Sequence, residues 1–267
     1  MDNRPILFID SGIGGLLYCR DFLKHNPQEE ICYLADTKNF PYGQRGKEEL
    51  TSILISLIEK LLKTIDPKII VIACNTATIS ALDPLREHFS NISFVGTVPA
   101  IKPAASASKN RKVGVLGTTR TVEDPYNQSL VKDNCEIFAV AAPELVEFVE
   151  QRFEKASDKE KNEIVKKYIE IIRTEGVDTL VLGCTHYLYL LEEFRNEALP
   201  DIQIFDSLDG ITKRIEFLLD ENDGNLRADI DFEPVHWLFL TGAEPQSSVW
   251  QERSQELGFA LCMLESL

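Results

Sequence analysis

Short apolar runs recur along the chain, each stopping at a small or polar group, and between them hydrophobic residues return at helical spacing. Ile6 to Ile9 ends in Asp10-Ser11-Gly12-Ile13-Gly14-Gly15, after which Leu16, Leu17, Cys19, Phe22 and Leu23 continue at helical spacing. This predicts strand, tight loop, helix. Ile31-Cys32-Tyr33-Leu34-Ala35 stops at Asp36 and opens the polar loop Thr37 to Gln44, followed by a helix from about Lys47 to Lys63 that Asp66-Pro67 terminates. Ile69-Ile70-Val71-Ile72-Ala73 is continuous and β-branched, as a strand buried on both faces of a parallel sheet should be, and ends at Cys74-Asn75-Thr76. A helix from about Ala77 to Phe89, a short strand around Val95 and a polar, small-residue stretch from Pro99 to Lys112 complete the first half.

The pattern then restarts. Lys112-Val113-Gly114-Val115-Leu116 leads into Gly117-Thr118-Thr119, and a helix from about Asp158 to Thr174 precedes Thr179-Leu180-Val181-Leu182-Gly183, which ends at Cys184-Thr185-His186. A shift of about 110 residues superposes Ile69 to Cys74 on Thr179 to Cys184, and one of about 107 brings the strand before Asp10 onto the strand before Gly117, so internal duplication is the simplest reading. Strands alternating with helices predict an α/β fold: two pseudo-symmetric doubly wound lobes with mainly parallel sheets. Ligands bind outside the carboxyl ends of such strands, so Cys74 and Cys184 are expected to face one another across a cleft between the lobes.

The bulk properties narrow the partners. A chain of 267 residues accommodates two lobes. Its 43 acidic against 28 basic residues give a net charge of −15, which repels nucleic acid and anionic lipid surfaces. No apolar run approaches the roughly 18 residues that span a bilayer, and no leader pattern opens the chain, so a cytoplasmic protein without nucleic-acid or membrane partners is expected.

Six cysteines are scattered without paired short spacing. A single buried cysteine is ordinarily a small apolar packing residue; two at corresponding strand ends, each followed by hydroxyl or amide side chains, point to a site. Metal binding, disulfide exchange and proton transfer from two faces of one carbon are the three chemistries open to such a pair. The sequence weighs against the first two: only His186 stands near Cys184 as a further ligand, none accompanies Cys74, and no Cys-x-x-Cys occurs. Cofactor-free racemisation needs two matched groups near neutral pKa, and free thiols titrate at about 8.5. Asp10 could relay a proton beside Cys74, and His186 could do so beside Cys184. No Arg or Lys cluster lies at the strand ends of the first half to hold a substrate carboxylate. Backbone N–H groups of Ser11 to Gly15 and of Tyr42 and Gly43 in the Pro41-Tyr42-Gly43 loop, with the hydroxyls of Ser11, Thr76, Thr118 and Thr185, are the candidates instead. A dinucleotide reading of Gly12-x-Gly14 with Asp36 downstream fails at its third glycine, which is Leu17.

These segments resemble, in order and along almost the whole chain, the glutamate racemase family of the aspartate/glutamate racemase superfamily. The resemblance rests on Asp10-Ser11-Gly12-Ile13-Gly14-Gly15, Pro41-Tyr42-Gly43, Cys74-Asn75-Thr76, Gly183-Cys184-Thr185-His186, Asp206-Ser207 and Leu240-Thr241-Gly242. It implies that Cys74 takes the α-proton from D-glutamate and Cys184 from L-glutamate, that Asp10 and His186 assist, and that Glu150 supports the histidine. Asn75 joins the substrate-binding residues on the same ground. It further implies one lobe of residues 1–97 with 208–267 and a second of 98–207, a homodimer, no cofactor or metal, and supply of D-glutamate for peptidoglycan. The chain departs from the pattern where a usual Cys-Pro reads Ala142-Pro143, a proline expected just ahead of Phe148-Val149 reads Glu147, and a usual glycine reads Arg120. An aspartate racemase, with a shorter pocket, and a non-catalytic amino-acid or anion-binding protein, with no need of two thiols, are the alternatives. A nicotinamide-dependent oxidoreductase is remote, and a pyridoxal phosphate enzyme is unnecessary once the two thiols are considered.

Overall fold

The computed structural model describes residues 1–131, 135–224, 226–242 and 247–264. Among the described residues ten strands are formed: β1 (Ile6–Asp10), β2 (Ile31–Ala35), β3 (Ile69–Ile72), β4 (Ser93–Gly96), β5 (Lys112–Gly117), β6 (Glu136–Ala141), β7 (Thr179–Leu182), β8 (Gln203–Phe205), β9 (Trp237–Leu240) and β10 (Ala260–Met263). They make two parallel sheets, one ordered β10-β9-β2-β1-β3-β4 and the other β6-β5-β7-β8. The chain divides into two compact units: Met1–Thr97 with Leu208–Leu267, and Val98–Ser207.

The order β2-β1-β3-β4 in the first unit is repeated as β6-β5-β7-β8 in the second, so the sequence repeat is also a repeat of topology. In the first sheet β1, β2 and β3 are wholly buried, which is why their residues run apolar without alternation. The parallel register fixes which residues share the carboxyl edge. Asp10 pairs with Ala35, the Asp36 N–H donates to the Asp10 carbonyl (2.8 Å), and the Ala73 N–H donates to the Ile9 carbonyl (2.8 Å). Asp10, Asp36 and Cys74 therefore leave the sheet at one edge. In the second unit the Gly183 N–H donates to the Leu116 carbonyl (2.7 Å), which brings Thr118 and Cys184 to the corresponding edge.

Helix Lys47–Leu61 covers the first sheet with Leu50, Leu54, Ile58 and Leu61, a stripe at helical spacing. The polar, small-residue stretch from Pro99 to Lys112 contains helix Ile101–Ala107. Its Pro103 falls in the first turn, where a missing N–H costs nothing. Helix Asn75–His88 starts directly after Cys74, two residues earlier than the pattern predicts, and runs through Pro84. The Ser80 carbonyl, which that proline cannot serve, lies 3.4 Å from the Thr51 hydroxyl.

Two polar contacts hold the returning C-terminal segment onto the first sheet. The buried Lys68 ammonium pairs with Glu29 (2.6 Å) and donates to the carbonyls of Asp2 (2.6 Å) and Leu226 (2.8 Å). On the other side of β2, the Ile31 N–H donates to His236 Nδ1 (3.2 Å), and the Ala260 N–H donates to the His236 carbonyl (2.8 Å). Burial holds His236 below its ordinary pKa. Only the neutral ring can accept the Ile31 N–H. This contribution is therefore complete above the unfolded histidine value of about 6.5 and is lost as pH falls through the lower folded value. Amide exchange at Ile31, corrected for intrinsic rates, should accelerate between roughly pH 7 and pH 5 in the wild type. In His236→Leu it should be fast at both pH values.

Candidate functional site

In the first unit the loop after β1 lies hard against β2 and β3. A Cβ at Gly15 would fall 2.9 Å from the Ala73 Cβ and 2.8 Å from the Tyr33 hydroxyl, so glycine alone permits this approach. The Tyr33 hydroxyl donates to the Gly12 carbonyl (2.7 Å) and fixes the loop from below. Asp10, fully buried, accepts from the Gly12 N–H (3.0 Å), with the Ser11 hydroxyl 3.4 Å from the same oxygen. The Gly12 amide, one of those offered to a carboxylate on sequence grounds, is thus engaged by Asp10.

Cys74 is 8% exposed and occupies the position preceding helix Asn75–His88, in extended backbone. The next residue carries the clearest mark of a ligand site: both polar atoms of the buried Asn75 amide lack a partner among the described residues. Leaving such a group unpaired costs about 1–3 kcal/mol, so the amide is suited to a polar substrate group that both donates and accepts. Thr76, next along, is equally buried.

Asp36 organises the loop that carries Pro41, Tyr42 and Gly43. Its carboxylate accepts from the Tyr42 hydroxyl (2.8 Å), the Thr241 hydroxyl (2.6 Å) and the Asn39 amide (2.9 and 3.0 Å). Burial, followed by the Asp36 charge and hydrogen bond and by the charges of Cys74 and Asp10, pushes the Tyr42 phenol well above its usual pKa. Tyr42 therefore stays protonated and donates to Asp36 while belonging to the same electrostatic neighbourhood as Cys74 and Asp10. Gly242 completes the clasp. Its N–H donates to the Thr37 hydroxyl (3.1 Å), and a Cβ there would meet that oxygen at 2.9 Å. On sequence grounds Asp36 entered only through a dinucleotide reading that already fails at its third glycine. Its oxygens are instead occupied by side chains of the protein, which removes the remaining support for a dinucleotide reading.

In the second unit Cys184, 6% exposed, follows β7, and the turn Thr185–Leu190 begins behind it. His186 Nδ1 lies 3.9 Å from the Cys184 sulfur and 3.5 Å from the Thr185 hydroxyl, while His186 Nε2 lies 2.7 Å from Glu150 Oε1. Burial alone would lower the His186 pKa. The hydrogen bonds and charges of Cys184 and Glu150 outweigh it and hold the imidazole well above its ordinary value. At neutral pH His186 is therefore an imidazolium that donates to Glu150 on one side and faces the Cys184 sulfur on the other. A positive imidazole beside a cysteine favours thiolate in general.

The departures from the family pattern can be placed. Pro143 opens helix Pro143–Gln151 in its first turn, and Ala142, fully buried, receives the Tyr187 hydroxyl at its carbonyl (2.7 Å). Glu147 lies on the exposed side of that helix, where a proline would interrupt the backbone ladder; with glutamate the helix continues to Glu150. Arg120 lies in the first turn of the short helix Thr119–Glu123, which Thr118 caps by accepting from the Thr121 N–H (3.3 Å).

The remaining cysteines have no such company. Burial pushes the Cys32 thiol up to about 12 and that of Cys19 well above the usual range, so both act as neutral packing groups. Among the described residues no cluster of His, Cys, Asp and Glu is arranged to hold a metal ion, and no helix is long and apolar enough to cross a membrane.

Residues 18–214 match the Asp/Glu/Hydantoin racemase family. The chain is 39% identical to the glutamate racemase of Herpetosiphon aurantiacus over 248 residues, 92% of this chain and 95% of that protein. Among solved structures, a glutamate racemase isoform of Bacillus anthracis superposes with a TM-score of 0.82 at 30% identity, covering 98% of this chain and 97% of that one. The Escherichia coli glutamate racemase, solved with L-glutamate and the activator UDP-MurNAc-ala, gives 0.83 at 28% identity over 97% of each chain. With two parallel sheets that each carry a cysteine two residues beyond a buried strand, and with relatives of this identity along nearly its full length, the chain belongs to the Asp/Glu/hydantoin racemase family.

Proposed function

We propose that this protein interconverts L-glutamate and D-glutamate without a cofactor, by proton transfer between the substrate α-carbon and two thiols, Cys74 and Cys184. The observation that carries the reading is the repeated strand end: each sheet delivers one cysteine, followed by buried hydrogen-bonding residues, at the same topological position. Racemisation demands such a pair. One thiolate removes the α-proton, the electron pair stays on the substrate as a carbanion, and a thiol on the opposite face supplies the new proton.

Cys74 takes the proton from D-glutamate and Cys184 from L-glutamate, and each returns it in the reverse direction. Asp10 serves Cys74. His186, its pKa raised by its contacts with Cys184 and Glu150, serves Cys184. Ser11, Asn75, Thr76, Thr118, Thr185 and the Pro41-Tyr42-Gly43 loop bind the substrate, with the Asn75 amide supplying both a donor and an acceptor. The product supplies D-glutamate for peptidoglycan, and the protein works as a cytoplasmic homodimer.

Circular dichroism of purified protein with each enantiomer of glutamate and of aspartate tests the assignment. Both glutamate enantiomers should lose optical activity and aspartate should not. Racemisation of aspartate alone transfers the reading to the aspartate enzyme, and none at all leaves an amino-acid-binding protein. Glu150→Gln removes one of the two groups that raise the His186 pKa and leaves the Cys184 contact, so the titration of the ring nitrogens, followed by ¹⁵N NMR, should move to lower pH. The rate should fall about tenfold to a hundredfold, part of the usual contribution of a general acid or base.

A further inference from the structure

Outside the catalytic groups, the first unit carries a cavity of about 460 Å³ between the outer side of helix Lys47–Leu61 and the loop after β2. This is the size range of sites for small molecules, about 300–1,000 Å³. The helix contributes the exposed Ser52, Ser56 and Lys60, with the partly buried Ile53 and Leu57 between them. Lys38 reaches it from the loop. Asp36, Asn39 and Thr241 form the opposite wall.

The described lining of the cavity differs in charge from the protein as a whole. The chain carries −15, yet two lysines line this cavity, and among the described residues neither ammonium has an ion-pair or hydrogen-bond partner. The acid in the wall, Asp36, is fully buried and already accepts from Tyr42, Asn39 and Thr241. A double positive charge with two hydroxyls beside it, bordered by aliphatic surface, fits an organic dianion better than a cation or a neutral molecule.

We propose that this cavity binds a phosphate monoester with a small apolar body. The phosphate lies between the Lys38 and Lys60 ammonium groups within reach of Ser52 and Ser56, and the body rests on Ile53 and Leu57. Because Asn39 and Tyr42 share the Asp36 carboxylate, an occupant that moves Lys38 and Asn39 also shifts the loop that carries Tyr42. That coupling rests on the racemase reading; the binding does not.

The test uses the intact protein and phenyl phosphate, with inorganic phosphate and phenol as probes of the two halves, followed by amide chemical shifts. Saturable shifts are expected at Lys38, Asn39 and along Ser52 to Lys60, with phenyl phosphate binding more tightly than either fragment and less tightly as salt is raised. Lys60→Gln and Lys38→Gln should each weaken binding about tenfold, as loss of one charge-assisted contact implies, and Lys60→Arg should restore it. Both lysines are exposed, so the variants should fold. Unchanged affinity in the glutamine variants, or shifts confined to other residues, overturns the site. In the wild type, saturating phenyl phosphate should change the KM for glutamate, and in Lys38→Gln this effect should disappear. A protein that binds phenyl phosphate here but racemises nothing keeps the site and loses the racemase assignment; one that racemises glutamate without this binding does the reverse.

Discussion

Cys74→Ser and Cys184→Ser should each fold like the wild type and each lose racemisation in both directions, by about 10³- to 10⁴-fold in kcat/KM, or about 4–5.5 kcal/mol of transition-state stabilisation. Oxygen for sulfur is nearly isosteric, so packing is little disturbed at residues that are 8% and 6% exposed. The chemistry is not conserved: a serine hydroxyl is a far weaker acid than a thiol and cannot stand as the anion near neutral pH. Loss in both directions is the informative part. In either direction one thiol removes a proton and the other delivers one, so neither variant retains a complete pathway. A purely packing role for either cysteine would leave kcat within a few-fold of the wild type. Circular dichroism of the products, beside thermal melts of the three proteins, separates the two cases.

Lys68→Met should cost about 3–5 kcal/mol of stability, the usual penalty for stranding one member of a buried ion pair. The substitution leaves the Glu29 carboxylate, 3% exposed, without its counter-charge, and removes the donor for the carbonyls of Asp2 and Leu226. Replacing both partners, as in Glu29→Leu with Lys68→Met, removes the stranded charge and should recover part of the loss. Recovery should remain incomplete, because those two carbonyls stay unserved in the double variant. Urea unfolding of the wild type, both single variants and the double variant measures each term. Full additivity of the single effects would show that the two side chains do not interact.

What could be read from the chain follows from what each element buries. β1 and β3 announce themselves as unbroken apolar runs because they are interior strands covered on both faces. β6 does not, since Glu136–Ala141 is an edge strand with exposed and half-exposed positions, and β8 is only three residues long. The two cysteines were legible through their repeated context. The support given by Glu150 to His186 was implied only by resemblance, for the two residues lie 36 positions apart and meet through the packing of helix Pro143–Gln151. The part played by Asp36 was not legible for a related reason. A lone acid at a strand end says nothing of its partners until Thr241, which lies 205 positions away, is brought beside it by the pairing of β9 with β2. Tyr42 was valued for its backbone, whereas its hydroxyl ties the loop to that same carboxylate.

The most direct test of two-thiol racemisation is the isotopic content of the product formed from L-glutamate by the wild-type protein in heavy water, measured at early conversion. If Cys184 removes the α-proton and Cys74, already exchanged with solvent, supplies its replacement, the first D-glutamate formed carries deuterium at the α-carbon while the unreacted L-glutamate still carries protium. D-glutamate that retains its α-protium would show that one group removes and returns the same proton, and the two-thiol account would be wrong.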